Sequence, residues 1–424
     1  MSQYRAYPAY KDSGVEWIGQ VPEHWKVARV KRLASLRNER RNDVSTDTIY
    51  IGLEDVEAGS GQYKPTNGSS RQSEDSTVGI FYEGDVLYGK LRPYLRKAII
   101  SEMAGCCSTE FLVLRAEKTE PRWLQEWLLT PDVTHQIVSG CEGAKMPRAD
   151  WGHIGSIEVV YPDQPEQAKI LTSLDRETAR IDALIEKKTR FIELLNEKRQ
   201  ALITHAVTKG LDPNVKMKDS GIEWIGQVPE HWKVARVKRL ASLRNERRND
   251  VSTDTIYIGL EDVEAGSGQY KPTNGSSRQS EDSTVGIFYE GDVLYGKLRP
   301  YLRKAIISEM AGCCSTEFLV LRAEKTEPRW LQEWLLTPDV THQIVSGCEG
   351  AKMPRADWGH IGSIEVVYPD QPEQAKILTS LDRETARIDA LISKAEQSIT
   401  LLKERRAAFI TAAVTGQIDL RGKQ

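Results

Sequence analysis

The sequence predicts two mixed α/β heads, duplicated in tandem, each followed by one long helix. Three observations carry that expectation. Residues 11–185 recur as 218–392 at a constant offset of 207, with Val15 replaced by Ile222 as the single difference. Up to Pro162, and again up to Pro369, the chain alternates short strand-like runs with Gly, Asn and Ser clusters. Past each proline the apolar residues fall at helical spacing instead. A chain of 424 residues is long enough for two or more domains with cores of their own. The expected boundaries are a first head at 1–162, a central helix at 163–210, a second head at 211–369, and a C-terminal helix with its tail at 370–424.

In the first head, strands are expected at Thr48–Ile51, Ile80–Tyr82, Asp85–Tyr88, Ala98–Ile100, Phe111–Leu114 and Ile157–Val160, where β-branched and aromatic residues concentrate. Pro121–Leu129 has the periodicity of a short amphipathic helix. The second head repeats all of these.

The long helices begin alike. Asp163 is an expected N-cap with Glu166 three residues on, and Asp370 stands in the same relation to Glu373. Apolar residues then follow at near-heptad spacing, including Leu184 and Phe191, and the helices are expected to stop near Gly210 and Gly416. The seam is expected to be built from Leu174, Ile181, Ile192, Leu195 and Ile203 on the first helix and Leu381, Ile388, Ile399, Leu402 and Ile410 on the second. Beyond Ile392 the copies diverge at polar positions while this stripe is kept. Only Leu211–Met217 separates the first helix from the second repeat, so the second helix is expected to return antiparallel to the first. The expected architecture is a pseudo-twofold dumbbell with a coiled-coil spacer.

Composition and motifs exclude several classes. A content of 39% hydrophobic and 28% charged residues describes an ordinary soluble chain. No run approaches the roughly 20 apolar residues of a membrane span, and the N-terminus lacks a signal-like apolar stretch, so the expected location is the cytoplasm with no membrane partner. Cys106, Cys107, Cys141 and their copies Cys313, Cys314 and Cys348 lack paired zinc spacing, and buried thiols are the expectation. Gly84–Lys90 matches the first seven positions of a phosphate-binding loop, but Leu91 stands where Ser or Thr would hold Mg²⁺ and the intervening residues are strand-like. His24, His135 and His153 show no ligand spacing and are expected to be structural. No catalytic residue, metal site or directly bound cofactor is expected.

What remains is basic. The net charge of −3 conceals 58 Lys and Arg residues against 61 acids, which leaves room for local cationic patches. Lys90-Leu91-Arg92-Pro93-Tyr94-Leu95-Arg96-Lys97 places four cations and a tyrosine beside a proline-bent turn. Lys145-Met146-Pro147-Arg148 follows a glycine-containing loop, Arg71-Gln72 follows Asn67–Ser70, and Arg37, Arg40 and Arg41 follow a basic start at Lys26–Arg32. Duplex DNA asks for this mixture, since Arg and Lys neutralise phosphates while Arg, Gln and Asn reach base edges. The expected DNA contacts are Arg71, Gln72, Lys90, Arg92, Tyr94, Lys145 and Arg148, with their copies Arg278, Gln279, Lys297, Arg299, Tyr301, Lys352 and Arg355.

Lys11-Asp12-Ser13-Gly14-Val15-Glu16-Trp17-Ile18-Gly19-Gln20-Val21-Pro22-Glu23-His24-Trp25 resembles the opening of a target recognition domain in type I restriction–modification specificity subunits. Gly84–Leu87 running into Lys90–Lys97, and Tyr161–Gln167 leading into Ile170 and Leu174, resemble further segments of that family. The resemblance covers nearly the whole chain, twice. It implies a non-catalytic subunit that reads a bipartite DNA site, one half per head. Its implied partners are two modification subunits that bind S-adenosylmethionine and methylate adenine, joined in restricting complexes by two motor-nuclease subunits that use ATP with Mg²⁺. Family members usually carry two different recognition domains; two near-identical heads imply an interrupted palindrome instead. An alternative from another class is a structural adaptor with two protein-binding heads on a coiled-coil spacer, which leaves the family-like segments unexplained.

Overall fold

The computed structural model describes residues 4–45, 47–65, 76–141, 145–252, 254–272, 283–348 and 352–422. The chain divides into two compact units, Met1–Lys188 with Gln397–Gln424, and Thr189–Glu396. Each unit therefore holds one head, the first part of the helix that follows it, and the last part of the other long helix.

In chain order the first head carries β1 (Tyr10–Asp12), β2 (Gln20–Pro22), β3 (Lys26–Arg29), β4 (Ala34–Leu36), β5 (Arg40–Arg41), β6 (Tyr50–Ile51), β7 (Val78–Phe81) and β8 (Val86–Gly89). There follow β9 (Ala98–Ile100), β10 (Gly105–Cys107), β11 (Phe111–Ala116), α1 (Pro121–Leu129), α2 (Pro131–Ser139), α3 (Trp151–Ser156), β12 (Glu158–Tyr161) and the long helix α4 (Gln164–Lys209). Two four-stranded sheets form the body, in the orders β4-β11-β8-β9 and β5-β7-β10-β6; β1 pairs with β2, and β3 with β12. All pairings are antiparallel except β10 with β6.

Alternation along the strands explains why β8 is buried over its whole length. Val86 and Tyr88, with Leu112 and Leu114, face a core closed by Trp127, Leu128, Val133 and Ile137 of α1 and α2. Leu87, Ile99 and Val113 point the other way, onto Ile51, Phe81 and Cys107 of the second sheet. A strand sandwiched on both faces must be apolar at consecutive positions. The middle of the phosphate-loop-like Gly84–Lys90 segment is therefore a core strand, Val86–Gly89. Burial pushes the Cys107 thiol up to about 12, so it stays protonated and inert at neutral pH.

Several element boundaries differ from the sequence expectation. The strand expected at Thr48–Ile51 is confined to Tyr50–Ile51, and those at Ile80–Tyr82 and Asp85–Tyr88 become Val78–Phe81 and Val86–Gly89. Between them Tyr82–Asp85 is a turn. The Asp85 carboxylate accepts from the Tyr82 amide at 2.8 Å while Gly84 takes φ 84°. The helices α2 and α3 were not expected. Their signals were Pro131 at the first helical position and Asp150 as an N-cap, whose carboxylate accepts from the His153 amide at 3.1 Å.

The second head repeats these elements with α5 (Pro328–Leu335), α6 (Pro338–Ser346) and α7 (Trp358–Ser363), and leads into α8 (Gln371–Val414). Both long helices start on the expected cap: the Glu166 amide donates to Asp163 Oδ1 and the Glu373 amide to Asp370 Oδ1, each at 2.9 Å. Gly210 and Gly416, at φ 79° and 74°, follow their C-terminal ends.

In each unit the start of one long helix packs beside the end of the other, so the two run antiparallel there. Ile170, Leu171 and Leu174 of α4 bury against Phe409, Ile410, Ala413 and Val414 of α8 in the first unit. Ile377, Leu378 and Leu381 of α8 bury against Ile203, Ala206 and Val207 of α4 in the second. An Arg–Asp pair flanks each seam, Arg406 with Asp182 at 3.0 Å and Arg199 with Asp389 at 3.3 Å.

Of the expected seam residues, Leu174, Ile181, Leu195, Ile203, Leu381, Ile388 and Ile410 are buried, whereas Ile192, Ile399 and Leu402 are half-buried. Leu184 and Phe191, part of the expected stripe, are exposed. A 3.6-residue helix drifts by about 20° per heptad, so apolar residues spaced by heptads do not all stay on one face. Among the described residues no helix is long and apolar enough to cross a membrane.

This distribution predicts that Leu174→Ala destabilises its unit by about 2–5 kcal/mol, whereas Leu184→Ala changes stability by less than about 0.5 kcal/mol. Urea unfolding of both variants checks this, and equal midpoints would place the seam elsewhere.

Candidate nucleic-acid interface

The segment joining β8 to β9 has an uncommon backbone. Arg92 and Arg96 sit at φ 52° and 50°, and with Arg299 and Arg303 they are the positive-φ non-glycine residues among those described. The left-handed region costs a side-chain-bearing residue about 1–2 kcal/mol. Between the two arginines, Pro93–Leu95 forms one 3₁₀ turn, closed by Leu95 N–H to Arg92 O and Arg96 N–H to Pro93 O, both at 2.9 Å. Pro93 is buried and fixes the turn from below, where α2 packs against it. Tyr94, at the apex, is 49% exposed.

The second predicted basic segment lies alongside. Leu91 and Arg148 form a β-bridge, the Arg92 amide donates to Pro147 O at 2.8 Å, and the Ala149 amide donates to Lys90 O at 2.9 Å. Residues far apart in sequence are thus joined by backbone hydrogen bonds into one ledge that carries Lys90, Arg92, Tyr94, Lys145 and Arg148. Arg92, Lys145 and Arg148 are exposed and Lys90 is half-buried. The second head repeats the arrangement with Lys297, Arg299, Tyr301, Lys352 and Arg355, through the Leu298–Arg355 bridge and Arg299 N–H to Pro354 O at 2.8 Å. Arg71, Gln72, Arg278 and Gln279 lie outside the described residues.

Not every expected cation is available. Arg148 already forks onto Glu110, at 3.1 and 3.4 Å. Such an exposed pair is worth no more than about 1 kcal/mol, so a phosphate can displace the carboxylate at little cost. Lys97 donates to Leu53 O at 2.7 Å, and Arg96 O accepts from the Gly59 amide at 2.9 Å, so these two brace the hairpin. Arg37 is structural: it forks onto the buried Asp85 at 2.8 and 3.3 Å and lies 4.6 Å over the Tyr82 ring. That hydrogen bond holds its guanidinium charged beyond the usual range. Arg40 and Arg41 are exposed on β5, an edge strand of its sheet, with Arg41 beside Glu39 at 3.0 Å.

Sequence reasoning passed over two residues of this ledge. Met146, 47% exposed, stands between Lys145 and Pro147, and Glu110 holds the ledge with both its backbone carbonyl and its carboxylate. An apolar residue flanked by cations and a proline was the available signal for Met146. Two of the three histidines expected to be structural serve the scaffold: His153 Nε2 bonds Gln136 O at 2.8 Å, and His24 Nε2 lies 2.7 Å from Glu166, while His135 is exposed on α2. Among the described residues no group of three or more His, Cys, Asp or Glu side chains could hold a metal ion.

No family model matches the chain. Over 346 residues it is 21% identical to the type I restriction enzyme EcoDI specificity subunit of Escherichia coli, covering 78% of this chain and 74% of that protein. A chain solved for the structural basis of complex assembly and conformational transition of the type I R-M system superposes with a TM-score of 0.67 at 17% identity. The match covers 95% of this chain and 99% of that one. The HsdS subunit of Thermoanaerobacter tengcongensis is 18% identical, with a TM-score of 0.49 over 94% of this chain and 98% of that one.

The class defined by fold and relatives is therefore that of two strand-rich heads carried on paired long helices, the fold of a type I restriction–modification chain. In sequence the chain is similar to one type I restriction enzyme specificity subunit, and in fold to a chain of a type I R-M system.

The strained turn predicts a trade-off. Arg92→Gly together with Arg299→Gly should raise thermal stability, by up to about 1 kcal/mol per head, because glycine adopts φ near 50° without strain. A lower melting temperature in the double variant would show that the arginine side chains hold the hairpin rather than strain it.

Proposed function

We propose that each head binds one half of a bipartite DNA site through the Lys90–Arg96 and Lys145–Arg148 ledge, or its copy, and that the chain directs adenine methylation by modification subunits docked on it. One observation carries this reading. Two basic segments separated by about fifty residues of sequence converge, in both heads, on one rigid and exposed ledge that contains a tyrosine and a methionine. Cations of this kind anchor phosphates, while arginine forks and apolar tips reach base edges. Homology to a specificity subunit supports the same role.

On this reading catalysis is supplied by partners. Two modification subunits bring S-adenosylmethionine, and motor-nuclease subunits bring ATP and Mg²⁺ where cleavage accompanies methylation. Identical heads read identical half-sites. The antiparallel helices expected from the sequence then make those half-sites inverted repeats, with centres about one helical turn apart or slightly more.

Methylome sequencing of a host that expresses the chain with a modification subunit should return an interrupted palindrome with methylated adenine in both halves. Two unrelated half-sites would overturn the symmetric reading. In gel shifts, Arg92→Ala with Arg299→Ala should weaken binding and flatten its salt dependence, by close to one slope unit per lost phosphate contact. An unchanged slope in the folded double variant would remove the hairpin from the interface.

A further inference from the structure

We propose that Gln200 makes the two identical heads unequal readers, by bracing the hairpin of the second head while the hairpin of the first has no such brace. The proposal rests on the DNA reading of the ledge, and it concerns a positioning residue rather than a contact.

The asymmetry arises where the repeat ends. Within the repeat the heads differ only at Val15 and Ile222, but the helix end that lies beside each belongs to the other repeat, and beyond Ile185 and Ile392 the two helices differ. In the second unit Gln200 of α4 reaches the hairpin: Arg303 Nη1 donates to Gln200 Oε1 at 3.2 Å and also to Leu336 O at 3.4 Å. In the first unit Arg96 Nη1 donates in the same way to Leu129 O at 3.4 Å. The residue equivalent to Gln200 there is Ala407, which lines the same cleft as Arg96 but has no amide to offer.

The brace acts at a point of leverage. Arg303, at φ 49°, closes the turn Pro300–Leu302, whose other end is Arg299 at φ 50°. The Arg303 amide donates to Pro300 O and its carbonyl accepts from Gly266, so its side chain, backbone and neighbouring loop form one frame. Fixing Arg303 therefore limits the excursions of Arg299 and Tyr301. An ordered hairpin spends less ordering entropy on binding. One partly buried hydrogen bond corresponds to about a two- to tenfold effect.

The first test needs no DNA. Hydrogen–deuterium exchange of the full chain is read by mass spectrometry on the hairpin peptides. These are identical in sequence, so Tyr94→Phe marks the first by mass, and Tyr301→Phe serves as the reciprocal label. The Leu302 and Arg303 amides should exchange about two- to tenfold more slowly than those of Leu95 and Arg96. Gln200→Ala should abolish the difference, and Ala407→Gln should slow the first hairpin.

The second test uses a duplex carrying one copy of the half-site found by methylome sequencing. The chain with Arg92→Ala, whose braced second head is intact, should bind that duplex about two- to tenfold more tightly than the chain with Arg299→Ala. Adding Gln200→Ala should erase the gap. Equal exchange of the two hairpins, equal affinities of the two single variants, or a gap that survives Gln200→Ala would each overturn the proposal. If neither arginine variant weakens binding, the hairpin is not the DNA contact. The exchange experiment separates that failure of the DNA reading from failure of the brace.

Discussion

The junction between head and helix depends on one buried carboxylate. Glu166 occupies the first turn of α4, where the unsatisfied amides and the helix dipole favour negative charge. Its oxygens collect Trp25 Nε1 at 3.1 Å, Tyr7 hydroxyl at 3.0 Å and His24 Nε2 at 2.7 Å. Trp25 in turn packs edge-on against Trp123 of α1, so the helix start, the β2–β3 loop and the body of the head become one block. Charge-assisted hydrogen bonds of this kind contribute about 1.5–3 kcal/mol each. In the second unit Glu373 repeats the bonds to Trp232 and His231 at 3.1 and 2.7 Å. Tyr7 precedes the repeated segment and has no copy, and the Glu373 side chain is 30% exposed against 9% for Glu166.

From that junction the ledge follows by packing. β8 is held on both faces, so its end at Gly89 cannot shift. A Cβ at Gly89 would lie 2.8 Å from Leu53 Cδ2, which shows how closely the 3₁₀ turn Leu53–Asp55 approaches. The hairpin leaves a fixed strand, turns over the buried Pro93, and is tied to Pro147 and Arg148 by backbone hydrogen bonds that do not depend on side-chain identity. Strain at Arg92 and Arg96 persists because these surroundings over-determine it. A scaffold of this kind holds the backbone of the ledge in place whatever side chains it carries.

The parts of this architecture that obey a period were legible in the sequence. The duplication, the capped starts at Asp163 and Asp370 and the stops before Gly210 and Gly416 needed only local rules. The core strands around Val86 and Val113 were found within a residue or two. Features made by distant contacts were not legible: Arg37 looked like a free cation because Asp85 lies 48 positions away, and the helical stripe concealed that Leu184 and Phe191 turn outward. For the ledge, composition picked out both basic segments, but only the Leu91–Arg148 bridge joins them.

Duplication of a domain usually implies duplication of its behaviour, yet here each unit draws its chain from both repeats. A head carries its own sequence into the first half of its helix, and the packing beside that helix comes from the end of the other repeat. Identity therefore extends through the strands, the ledge and Glu166 or Glu373, and stops at the residues facing the cleft. There Lys403 and Ala407 stand in the first unit where Asn196 and Gln200 stand in the second, on either side of the shared Arg406 and Arg199. The apolar seam tolerates this divergence because it asks only for volume at Ile203 or Ile410 and leaves the cleft-facing polar positions unconstrained. Equality of the two heads is consequently a property of the helices beside them as much as of the heads themselves.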